Sequence, residues 1–77
     1  MRNKIAEKIT DKIIQRFHDE RKSQGLSHEK LAELAGIHRS TISLIENRKR
    51  EPTLLTCLKI ANALGIKFSD FVRDSEA

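Results

Sequence analysis

The chain has 77 residues, with 15 Lys and Arg against 11 Asp and Glu, for a net charge of +4. A chain this short forms one domain and buries only about 60% of its unfolded surface, so modest stability or help from association is expected. A single cysteine, Cys57, excludes an internal disulfide, and no apolar run approaches the roughly 20 residues that span a bilayer. Met1-Arg2-Asn3-Lys4 leads into a charged amphipathic segment and not into a signal-peptide core, so a cytoplasmic protein is expected. Three Phe and no Trp or Tyr leave Ile and Leu to build the core, which suits helices packing on helices. The basic balance favours a polyanionic partner without proving one.

The periodicity predicts a first helix over about Lys4 to Ser23. Ile9, Ile13 and Phe17 recur every four residues with Ile14 beside them, and Ile5 and Ala6 extend the stripe one turn back. Gln24-Gly25-Leu26 forms a turn, with Leu26 plugging the core. Ser27 is a good N-cap for a second helix, and Glu29 suits its first turn. Leu31, Leu34 and Ala35 give that helix an apolar face, and the small Ala32 lets another helix approach. Gly36 is a C-cap candidate.

The third helix is expected from about Arg39 to about Asn47. Thr41, Ile42 and Ile45 share one side, while Arg39, Ser40, Ser43 and Asn47 fall on another. Small serines and an arginine at the helix start suit a nucleic-acid groove, since Arg can meet a guanine edge with two hydrogen bonds. Pro52 bars continuation, and Thr53 caps a fourth helix over about Leu54 to Leu64. Leu54, Cys57, Leu58, Ile60, Ala61 and Leu64 would cover one broad face of it, with Leu55 pointing elsewhere. Gly65 ends this helix; Ser69 is the expected cap of a short fifth helix carrying Phe71 and Val72.

The stretch Gly25 to Arg50, with Glu29, Leu31-Ala32, Ala35-Gly36-Ile37, Ser40-Thr41-Ile42-Ser43 and Ile45-Glu46-Asn47, resembles the Xre/Cro/C1-type helix-turn-helix family of phage repressors and restriction-modification controllers. The likeness continues through Pro52-Thr53-Leu54, Lys59-Ile60-Ala61 and Ala63-Leu64-Gly65-Ile66, and covers about residues 13 to 72. It implies an all-α, compact five-helix lambda-repressor-like domain at residues 13–73, with the helix-turn-helix as helices 2 and 3. Residues 1–12 are then a helical extension, and 74–77 a disordered tail. The extension could be solvated, cover the core, or meet a second copy or the DNA backbone. By the resemblance, Arg39, Ser40 and Ser43 match base-reading positions and Asn47 a backbone-contacting one. His28 stands where the family commonly has a phosphate-contacting Gln, which could make that contact pH-dependent. Arg21 and Glu46 match a partly buried ion pair that ties the first helix to the reading helix.

Bland readings stand beside these. Ser40 and Ser43 meet a base edge or are simply small enough not to clash. His38 touches a phosphate or only shapes the turn. Arg48, Lys49 and Arg50 are phosphate contacts or a solvated charge run. Ile66, Phe68, Phe71 and Val72 are candidates for a two-fold dimer contact, unless Phe68 and Phe71 close the monomer core. His18, His28 and His38 lack the short spacing of zinc ligands, and no catalytic constellation or phosphate loop is present, so no enzyme, metal, cofactor or small-molecule ligand is expected. The expected partner is double-stranded DNA, bound by a homodimeric regulator of a bacterium or phage host at a palindromic operator, with control through protein concentration. The alternative is an antitoxin-type interaction module with secondary DNA binding, using Leu55 or the Ile5–Ile9 stripe against its toxin.

Overall fold

Asn3 starts the first helix. Its Oδ1 accepts the backbone N–H groups of Ile5 and Ala6, both at 3.0 Å, satisfying two amides that a helix start leaves without partners. The structure, a computed structural model, describes residues 3–77; residues 1 and 2 of the expected extension lie outside the described residues. Among those described are five helices and no strand: α1 (Lys4–Ser23), α2 (His28–Ala35), α3 (Arg39–Glu46), α4 (Leu54–Leu64) and α5 (Phe68–Glu76). The chain is therefore all-α, with α2 and α3 as the helix-turn-helix pair. None of these helices is long and apolar enough to cross a membrane.

The helix boundaries follow from local chemistry. Ser27 Oγ accepts the Lys30 N–H at 3.0 Å and Thr53 Oγ1 accepts the Thr56 N–H at 3.1 Å, so both hydroxyls act as N-caps. At the end of α2, Gly36 adopts φ +71°, and the Ile37 N–H reaches back to the Ala32 carbonyl at 3.0 Å. This left-handed cap needs a residue without a Cβ penalty, and it sets the sharp turn from α2 into α3. The end of α3 uses the same device with a less suitable residue. Arg48 takes φ +61°, and the Lys49 N–H reaches the Leu44 carbonyl at 2.9 Å.

Every helix contributes to one core. Ile14 and Phe17 enter from α1, Leu31 and Ala32 from α2, Ile42 and Ile45 from α3, Ile60 and Leu64 from α4, and Phe71 from α5. The Phe17 ring meets Phe71 edge-on at 4.9 Å between centroids and stacks beside Phe68 at 6.4 Å; a well-placed aromatic pair adds about 0.5–1.5 kcal/mol beyond the area it buries. Cys57 is buried with this cluster, and burial pushes its thiol above the ordinary range, as suits a small core residue. Gln24 Nε2 donates to the Leu64 carbonyl at 2.8 Å and ties the first turn to the end of α4.

Four expectations need correction. Leu34 is exposed, because α2 turns Leu31, Ala32 and Ala35 inward and Leu34 lies roughly 100° around the helix from their centre. Leu54 and Leu58 are also exposed, at 66% and 46%, because the buried arc of α4 is Cys57, Ile60, Ala61 and Leu64. With Leu55 they form an apolar strip facing away from the core. On α1 the buried stripe begins at Ile14, and Ile5 and Ala6 are exposed. Finally, α5 starts at Phe68 after an N-cap at Lys67 and runs to Glu76, so residues 74–76 are helix and not tail. Ser75 is buried one turn beyond Phe71, Arg16 binds Asp74 at 2.8 Å, and the Arg16 guanidinium lies 5.1 Å from the Phe71 ring centroid. The polar letters of this segment hide partners that stand on α1, 58 residues away.

Candidate nucleic-acid interface

α3 is two-sided by construction. Ile42 and Ile45 point into the core, at 1% and 2% exposure. Arg39 and Ser40 are exposed on the other side, and Ser43 is half-buried. Together with Leu44 and His28 of α2 they line one open surface cleft. Arg39 and Ser40 have no side-chain hydrogen bond or ion pair among the described residues. An arginine without a partner at the start of a helix, flanked by small hydroxyls, can place two donors on a base edge while letting the backbone approach.

The other expected contact residues divide. Asn47 Nδ2 donates to the Ser43 carbonyl at 2.9 Å, so this amide finishes α3 while staying exposed. His38 precedes α3 as its N-cap without a side-chain cap bond and lines a hollow with Thr41, Arg50 and Thr53. Lys49 and Arg50 are exposed with no partner among the described residues. Arg48 is different: its guanidinium donates to the Glu46 carbonyl at 2.8 Å and to the Asp11 carbonyl at 3.3 Å, and lies 3.3 Å from the Asp11 carboxylate. Its charge is thus held by the N-terminal half of α1 in the free chain, which sets Arg48 apart from Lys49 and Arg50.

Behind this surface lies a polar cluster centred on Glu46, the last residue of α3. Arg21 of α1 is buried and grips it with two prongs, Nε to Oε2 at 2.8 Å and Nη2 to Oε1 at 2.9 Å; Nη1 donates to the Leu26 carbonyl at 2.8 Å. Two imidazoles reach the same Oε1, His18 Nδ1 at 2.7 Å and His28 Nε2 at 3.1 Å. Burial acts to raise the pKa of Glu46. The hydrogen bonds from Arg21, His18 and His28 and the Arg21 charge outweigh it and hold the carboxyl down to about 2. A carboxylate that stays ionised here keeps the end of α3 fixed against α1. Of this cluster, His18 was not singled out from the sequence, although it stands three residues before Arg21 and so on the same helix face. Asp11 was also missed, since nothing local marks it as the partner of Arg48.

The helix-turn-helix family model (HTH_3) matches residues 18–71. The chain belongs to this family. It is 38% identical over 61 residues to the HTH-type transcriptional regulator PuuR of Escherichia coli K12, covering 79% of this chain and 33% of that protein. It is 36% identical over 57 residues to the control protein C.SmaI of Serratia marcescens, covering 74% of this chain and 68% of that one. Among solved structures, an HTH_3 family transcriptional regulator from Vibrio cholerae superposes on 91% of this chain and 39% of its own, with TM-score 0.77 and 31% identity. The chain thus spans about a third of the length of PuuR. This HTH_3 chain places α2 and α3 within the matched region, together with the Glu46 cluster that joins α3 to α1.

Proposed function

We propose that this HTH_3 chain is a sequence-specific DNA-binding transcriptional regulator, a repressor or controller that acts as a homodimer on a palindromic operator. The observation that carries the reading is the outward edge of α3, with Arg39 and Ser40 exposed and without partners among the described residues and the half-buried Ser43 beside them, anchored from behind by Ile42 and Ile45. Arg39 reads a base; Ser40 and Ser43 admit the groove; His28, His38, Asn47, Lys49 and Arg50 meet phosphates and set the register. The regulatory names of PuuR, C.SmaI and the Vibrio cholerae protein support the same assignment. The test uses a duplex selected from a random pool and a scrambled duplex of equal length. Arg39→Ala is expected to weaken binding to the selected duplex by about 1–3 kcal/mol and to leave the scrambled one almost unchanged. Equal affinity of the unaltered protein for both duplexes would overturn sequence-specific reading.

The dimer contact is assigned to Leu54, Leu58, Ile66, Phe68 and Val72. Phe71 leaves the expected set because it is wholly buried in the monomer. Leu58, Ile66 and Phe68 line one cleft, and the exposed Leu54 lies one turn before Leu58. A two-fold contact there would set two copies of α3 about one DNA turn apart, roughly 34 Å. Leu58→Glu is expected to shift sedimentation from dimer to monomer and to weaken operator binding, with the helical signal retained. A dimer of unchanged strength in that variant excludes this surface.

A further inference from the structure

We propose that DNA binding by this chain takes up a proton at the His18–Glu46–His28 cluster. The inference rests on the DNA-binding reading above. His28 opens α2 and lines the same cleft as Arg39, Ser40 and Ser43, so its ring borders the surface offered to the duplex. Its Nε2 lies 3.1 Å from Glu46 Oε1. Glu46 is ionised and can only accept, so the proton between them sits on His28 Nε2. A neutral imidazole carries one N–H, and here Glu46 has claimed it. The remaining Nδ1 is then a bare lone pair, which repels a phosphate oxygen. A second proton turns Nδ1 into a charged donor, and a phosphate beside it stabilises that form.

His18 shares in this arrangement as a positioning residue. Its Nδ1 lies 2.7 Å from the same Oε1 and 3.4 Å from Arg21 Nη2, so its Nδ1 proton also goes to Glu46 and two imidazoles compete for one oxygen. The charged groups around His28 are His18 and Arg21 from α1, Arg39 and Glu46 from α3, and the adjacent Glu29 on its own helix. An incoming phosphate adds negative charge beside the ring and favours its doubly protonated form over the neutral one. Histidine is the side chain suited to exchange a proton between about pH 5 and 8, so the linkage operates near neutrality.

The experiment measures affinity for the selected duplex from about pH 6 to about pH 8 at constant salt. Calorimetry in buffers of different ionisation enthalpy counts the protons taken up. With one proton bound per monomer, the affinity of a dimer is expected to fall by up to about a hundredfold per pH unit on the alkaline limb, and that of a lone monomer by up to about tenfold. His28→Gln, whose amide donates at every pH, is expected to bind with a pH-independent constant and no proton uptake. His18→Gln removes one competitor for Oε1 and is expected to move the midpoint to higher pH. A flat profile with zero proton uptake in the unaltered protein overturns the proposal while leaving DNA binding intact. A slope that persists in His28→Gln overturns the assignment to His28, and an unmoved midpoint in His18→Gln overturns the part given to His18. Failure to bind any duplex at any pH sinks the DNA reading itself. If His28→Gln does not fold, as judged by its melting, calorimetry on the unaltered protein still decides.

Discussion

The two ends of α3 are built on opposite principles. At the C-terminal end Glu46 has a side chain only 8% exposed and receives Arg21 at both oxygens, with two imidazoles at one of them. At the N-terminal end Arg39 and Ser40 stand in solvent with no partner among the described residues. Within one eight-residue helix, a position held by surrounding groups stands opposite one held by none. A binding helix needs both. Unsatisfied donors have value for a ligand only if the backbone carrying them is fixed in advance, because ordering it on binding subtracts from affinity. The helix is locked at its C-terminal end and bare at its N-terminal end, as the proposed DNA contact requires.

The strongest way to break this comparison is to unlock the buried end. Glu46→Ala leaves the Arg21 guanidinium buried without its carboxylate, which is expected to cost about 3–5 kcal/mol. For a chain of this size that lowers the melting temperature by well over 10 °C, at about 4–8 °C per kcal/mol. The pH dependence checks the cause. A carboxyl whose folded value is depressed contributes stability above its unfolded value, here 4.5, and loses it as pH falls through its folded value of about 2. The shift corresponds to about 3 kcal/mol at neutral pH. The gap between the unaltered protein and Glu46→Ala is therefore expected to be full above about pH 5 and to narrow steadily toward pH 2. A gap that keeps its size down to pH 2 would mean that lost packing, and not the ionised carboxylate, carries the effect.

How much of this was legible in the sequence depends on whether a residue's partner is local. Ser27, Gly36 and Thr53 act on amides and carbonyls a few residues away, and their roles can be read from the letters. The inward arc of α3 is legible because Ile42 and Ile45 repeat at helical spacing. The Arg21–Glu46 contact was implied only by family likeness, since its partners stand 25 residues apart. The hidden parts are those fixed by how one helix crosses another. Leu54 and Leu58 sit on an apolar helix whose rotation is set by what α4 packs against, and periodicity alone could not say which leucines would be left outside. Ser75 and Asp74 look like a polar tail until Arg16 of α1 binds Asp74 and the packing of Phe71 on Phe17 carries α5 onto α1 with Ser75 buried. His28, placed by likeness at a phosphate, proves to share its proton with a carboxylate that no linear reading brings near it.

A smaller effect sharpens the comparison just past the C-terminal end of α3, where three consecutive cations follow Asn47. Removing a charge that neutralises a phosphate lowers the slope of log affinity against log salt by about 0.9 per contact, and by twice that in a two-fold dimer. Lys49→Ala and Arg50→Ala are each expected to show this reduction, since neither side chain has a partner among the described residues. Arg48→Ala is expected to leave the slope nearly unchanged, because its guanidinium is already held by Asp11 and the Glu46 carbonyl. Its loss should appear as stability instead, and by less than about 1 kcal/mol for a pair this exposed. Equal slope changes in all three variants would show that Arg48 abandons α1 for the duplex. The extension would then be a resting place for that charge, and the division between committed and available cations would hold only for the free protein.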